Sequence, residues 1–140
     1  EGGIINEYNK LLDVLTMKAD GNYIGAMDAI SLVDASLVTN EKFQSVYGAL
    51  NSEFTDSGVQ NLYVRGKGSY DGKDWETARV YFAKCLELQP DYPEVIFYMG
   101  VCYQNLNDWG TAVSYYNQLI DNEVYSNTQW GQEAKRQRGY

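Results

Sequence analysis

The segment Val59–Tyr92, VQNLYVRGKGSYDGKDWETARVYFAKCLELQPDY, and the segment Pro93–Ser126 that follows it, PEVIFYMGVCYQNLNDWGTAVSYYNQLIDNEVYS, decide the fold. Gly66, Asp74, Trp75, Ala78 and Phe82 of the first return thirty-four positions later as Gly100, Asp108, Trp109, Ala112 and Tyr116. In the same register Val64, Tyr81 and Leu86 match Tyr98, Tyr115 and Ile120. A period in this range marks helical hairpins stacked in a row, because one hairpin alone leaves an apolar face that only a neighbour can bury. Close packing explains the small residues. Gly66 or Gly100 on a first helix and Ala78 or Ala112 on a second let two backbones approach, while large apolar side chains fill the gap to the next hairpin. Such stacks present a surface to other macromolecules, which favours recognition over catalysis.

Working outward, a weaker echo lies near the start, where Gly21, Asn22, Tyr23, Ala26 and Ile30 match Lys73, Asp74, Trp75, Ala78 and Phe82. Its offset of fifty-two exceeds the period by about one helix and its turn. The segment Asn40–Phe54 can supply that surplus, since Phe43, Val46, Tyr47, Leu50 and Phe54 fall on one helical face. An extra helix is therefore expected in the N-terminal third. The remaining periodicity predicts helices over Ile4–Ala19, Asn22–Leu37, Ser57–Asp71, Asp74–Leu88, Tyr92–Leu106, Asp108–Asp121 and Ser126–Arg138. Asp74 and Asp108 read as N-caps, Pro93 as a first-turn proline, Gly72 as a helix exit, and Ser126 with Gln129 as a capping box.

These residues resemble the tetratricopeptide repeat. In the first copy Leu62, Gly66, Ala78, Phe82 and Pro90 hold the family's positions; in the second, Ile96, Met99, Gly100, Tyr103, Ala112 and Tyr116 do. Ser69, where Tyr103 predicts an aromatic, and Val124, where the turn proline would stand, depart from the pattern. The resemblance implies an all-α fold, an antiparallel helix-hairpin solenoid of the tetratricopeptide type with one extra helix, and a non-enzymatic scaffold for protein–protein contact. It also implies a concave peptide groove along the first helices, mapped here to Tyr63, Lys67, Tyr70, Phe97, Val101, Gln104, Lys135 and Arg138. The members that clamp a C-terminal carboxylate use a lysine and asparagine set, whereas the corresponding places hold Tyr63, Lys67 and Tyr98. That clamp is not present.

Composition bounds the rest. The chain has 140 residues, 44% of them hydrophobic, which suffices for one true core and predicts a single domain over 1–140. A net charge of −8 argues against nucleic acid, whose phosphates need a basic patch. No lysine or arginine lies between Lys84 and Lys135, while Glu87, Asp91, Glu94, Asp108, Asp121, Glu123 and Glu133 do. This acidic run suits a protein or peptide partner with basic side chains, or serves as a solvated surface. Histidine is absent, which removes the usual general base and commonest metal ligand. Neither a metal set nor a cofactor motif is present, and the carboxylates of Asp71 and Asp74 lack calcium-loop spacing. Cys85 and Cys102 fall on consecutive helices, as two buried thiols or, in an oxidising compartment, a bridge.

Three functional readings follow: an interaction module using the groove or the acidic face, a structural domain that self-associates near Trp130, and an enzyme for which no carboxylate pair can be nominated. No apolar run is long enough to insert in a membrane. The start at Glu1 and the wealth of Asn, Tyr and Gly suit the extracytoplasmic part of a tethered bacterial protein, with a cytoplasmic fragment as the alternative.

Overall fold

The computed structural model describes residues 2–139 and is all-α: no strand occurs among the described residues. The helices are α1 (Gly2–Ala19), α2 (Tyr23–Ile30), α3 (Glu41–Asp56), α4 (Gly58–Asp71), α5 (Trp75–Leu88), α6 (Pro93–Asn105), α7 (Trp109–Ile120) and α8 (Gln129–Arg138), with a 3-10 turn at Ala35–Leu37. They form two compact units, Glu1–Gly58 and Val59–Tyr140, with the boundary at the start of α4.

One corner is built three times. Gly21, Lys73 and Asn107 each take a positive φ, of 86°, 64° and 63°. The N–H of the next residue then reaches back five positions: Asn22 to the Met17 carbonyl at 2.8 Å, Asp74 to Ser69 at 2.8 Å, Asp108 to Tyr103 at 2.9 Å. This closure satisfies a carbonyl left over at the helix end. The same residue caps the following helix, its side chain accepting from Gly25 N at 2.9 Å, Thr77 N at 3.2 Å or Thr111 N at 3.1 Å. The fifty-two-residue echo is thus a third copy of the hairpin corner, and α3 is the extra helix. Gly72 is not the exit residue; Lys73 takes the left-handed conformation in its stead.

In Val59–Tyr140, α6 packs on both α5 and α7, and α7 packs on α8, as successive hairpins should. The glycines have a more specific task than backbone approach. A Cβ on Gly66 would lie 2.7 Å from the Phe82 ring, and one on Gly100 would lie 2.4 Å from the Tyr116 ring. Each first helix therefore receives the aromatic ring of its partner in the gap the glycine leaves. In Glu1–Gly58 the corresponding residues are Val14 and Ile30, both buried. An aliphatic side chain there replaces the ring, and a glycine is not required.

The N-terminal unit is tied by α3. Phe43, Leu50 and Phe54 are buried, and Phe54 meets Tyr23 edge-on at 5.3 Å. Glu53 accepts from Lys18 at 2.6 Å and from the Tyr23 hydroxyl at 3.1 Å.

Two helices are shorter than their sequence periodicity predicts. α2 stops at Ile30 because buried Glu7 of α1 accepts the Asp34 N–H, and Asp34 in turn accepts from Ser36 N at 3.1 Å to start the 3-10 turn. α8 begins at Gln129, capped by Thr128 and not by Ser126. Gly131 explains the shift. A Cβ there would lie 2.1 Å from the Tyr125 carbonyl, so α8 rests directly on the backbone of the preceding turn.

Candidate groove on the first helices

The eight residues assigned to a groove all belong to Val59–Tyr140, on α4, α6 and α8. On α4, the Tyr63 ring stacks on Tyr92 at 5.8 Å with 8° between planes. Burial, reinforced by the Glu94 carboxylate, raises the pKa of its hydroxyl well above the ordinary phenol value. One turn on, the Lys67 ammonium pairs with Asp71 at 2.6 Å and sits 5.5 Å from the Tyr70 ring and 5.6 Å from the Tyr98 ring. Tyr70 lies 4.6 Å from Tyr98 and 5.3 Å from Trp75, and burial pushes its hydroxyl up to about 12.

Tyr98 is thus the hub that joins Tyr63, Lys67 and Tyr70. The repeat pairs it with Val64, yet Val64 is 56% exposed and Tyr98 only 8%. The period alone cannot tell them apart, because α4 opens its unit whereas α6 lies between neighbours. Tyr98 also reaches Phe82 at 5.5 Å and Trp130 at 5.6 Å.

Phe97 is buried, 5.9 Å from Tyr116 and 5.6 Å from Trp130. It belongs to the floor and not to the open row. Gln104 accepts from the Tyr116 hydroxyl at 2.7 Å, fixing the ring that fills the Gly100 gap. Arg138 donates to Asn117 at 2.6 Å, tying α8 to α7. Tyr63, Lys67, Tyr70, Val101, Gln104, Lys135 and Arg138 all remain half-buried. Tyr92, Glu94 and Trp130 complete the surface, with Tyr98 buried beneath them, and none of the four was assigned to it from sequence. Pattern positions chosen by spacing say nothing of rings that arrive from neighbouring turns and helices.

Asp108 is held below the ordinary carboxylate range by hydrogen bonds from Thr111, as befits a cap. Cys85 and Cys102 are free, buried thiols, each pushed up to about 12 by desolvation. No three of His, Cys, Asp and Glu gather to hold a metal among the described residues. No helix there is long and apolar enough to cross a membrane.

Paired helices joined by one recurring corner, with rings seated on glycines and a polar-aromatic row along the first helices, define a helical-hairpin repeat protein. The particular family follows from comparison: residues 94–123, spanning α6, α7 and the turn after them, match the tetratricopeptide repeat model. This segment carries a tetratricopeptide repeat, and the preceding copy shares its corner and its glycine–ring contact. Neither the comparison with curated proteins nor that with solved structures found a match. The family points to a scaffold for protein–protein interaction.

Proposed function

We propose that this chain is a non-enzymatic interaction module that holds a peptide segment of a protein partner along the first-helix face of α4, α6 and α8. One observation carries the reading. Seven polar, aromatic and aliphatic side chains stay half-buried there at the repeat spacing, over a floor of rings already held in place by Tyr98 and Trp130. Rings ordered before binding lose little rotamer entropy when a ligand covers them, so the area they offer converts efficiently into affinity. Lys67 is neutralised by Asp71, and Lys135 and Arg138 leave the α8 end basic, so the row is not uniformly charged. A partner reaching past it meets exposed Asp91, Asp121 and Glu123, which favours basic side chains at those points.

Peptides selected from a random displayed library on the intact chain test this reading. Val101→Arg and Lys67→Glu should each weaken the selected peptides by ~tenfold or more, while Val80→Arg, on an exposed position of α5, leaves them bound. Peptides that bind all three folded variants alike would refute the groove.

A further inference from the structure

The two hairpin copies differ at a place that neither the core nor the first-helix row uses. In the first copy the Lys84 ammonium pairs with Glu87 at 3.0 Å, and the lysine side chain is only 12% exposed. Thirty-four residues on, Gln118 and Asp121 hold the same positions, so the carboxylate is kept and the cation is lost. Gln118 is exposed, and beside it opens a cavity of about 500 Å³ between the turn after α5 and the turn after α7. Pro90, Asp91, Ile96, Gln118, Asn122 and Tyr125 line it. Its volume falls in the ~300–1,000 Å³ range of pockets that hold ligands.

We infer that this cavity receives an arginine side chain of a protein partner, which brings the cation that the second copy lacks. Charge complementarity carries the assignment. Asp91 is the one charged residue of the lining, it is exposed, and it forms no ion pair among the described residues. The chain itself has no lysine or arginine between Lys84 and Lys135 to offer it. A carboxylate is matched by the guanidinium fork through two parallel N–H···O bonds. The neutral lining suits the same group. Asn122 Oδ1 already accepts from the N–H groups of Val124 and Tyr125, at 2.8 and 3.3 Å. The Gln118 amide oxygen makes no hydrogen bond among the described residues, so it is left to accept from a guanidinium held by Asp91. Tyr125 contributes a half-buried ring, a surface on which a flat guanidinium stacks, and Pro90 gives the methylene stem an apolar wall. A lysine ammonium, compact and strongly hydrated, uses neither the fork nor the ring in this way. None of the six residues belongs to the row on α4, α6 and α8, so the cavity is a second contact; that its occupant comes from a protein rests on the interaction-module reading.

Titration calorimetry of the whole chain with end-capped tetra-arginine at low ionic strength tests the cavity. Asp91→Asn removes the carboxylate, and Gln118→Lys restores the cation of the first copy. Each makes the net charge one unit less negative, as does Asp13→Asn at an exposed position of α1. Asp91→Asn and Gln118→Lys should each weaken the peptide by about fivefold, while Asp13→Asn binds it as the parent does, with helical circular dichroism showing that all three are folded. End-capped tetra-lysine should bind the parent more weakly than tetra-arginine. Equal affinity of the three variants overturns the inference, because attraction would then follow net charge alone. A parent that binds no tetra-arginine, or binds tetra-lysine as tightly, overturns it as well. The groove stands or falls separately, on library-selected peptides and Val101→Arg, a position that lies on no wall of the cavity.

Discussion

At the scale of single residues, glycine chemistry separates two kinds of position that look alike in a helix. Gly100 faces the Tyr116 ring so closely that a methyl group would sit 2.4 Å away, and that ring is anchored through its hydroxyl to Gln104. Gly68, on the same kind of first helix, has nothing within 4 Å of the place a Cβ would take. Replacing a mid-helix glycine by alanine gains about 1 kcal/mol of helix propensity, while overpacking a filled site costs about 1–3 kcal/mol. Gly68→Ala should therefore raise the urea midpoint. Gly100→Ala should lower it by the equivalent of up to about 2 kcal/mol, since the ring cannot withdraw without breaking its hydrogen bond. Equal midpoints for the two variants would mean that the ring contact has no energetic weight. The repeat made Gly66 and Gly100 legible as special, because both recur at one offset. That their neighbours are rings and not backbones was not legible, since spacing does not reveal which side chain turns into the gap.

At the scale of elements, the hairpin corners show how little sequence a turn needs when geometry is shared. Gly21, Lys73 and Asn107 do the same work at φ of 86°, 64° and 63°. Glycine takes this conformation freely, asparagine tolerates it, and lysine is strained by about 1 kcal/mol. Lys73→Gly should thus stabilise the chain by up to about 1 kcal/mol, and Asn107→Gly by less, both read as urea midpoints with unchanged slopes. A destabilised Lys73→Gly would show that the lysine side chain has a role outside the turn. Helix starts at Asp74 and Asp108 were legible because a cap is a local device, one side chain accepting from the N–H three residues on. The end of α2 and the start of α8 were not. Glu7 acts from another helix to stop the first, and the Tyr125 backbone acts through Gly131 to delay the second.

At the scale of the whole molecule, each unit holds a carboxylate with a lowered pKa, Glu7 in one and Asp108 in the other. Glu7 has its pKa lowered, first by the Asp34 N–H and then by Lys10. A carboxylate whose folded pKa lies below its unfolded value contributes stability that is present above the unfolded value of about 4.5 and is lost as pH falls through the folded one. Trp75, Trp109 and Trp130 all lie in Val59–Tyr140, so indole fluorescence reports that unit while circular dichroism reports both. On acidification, Glu7→Gln should alter the transition seen by circular dichroism and leave the one seen by fluorescence in place. A Glu7→Gln acid transition identical to the parent's by both probes would refute the linkage.

What the sequence alone determined is the periodic part of this protein: the all-α class, the hairpin period, the caps at Asp74 and Asp108 and the resemblance to the tetratricopeptide repeat. Those features are encoded by residues within a few positions of one another or at a constant offset, so they survive without knowledge of contacts. Tertiary structure alone decided which members of the pattern are covered. It buried Phe97 under Trp130, made Tyr98 the hub of α4 and α6, and left Ile5, Leu12 and Leu15 of α1 exposed. Burial depends on what each face meets in space, and identical positions in successive repeats meet different neighbours.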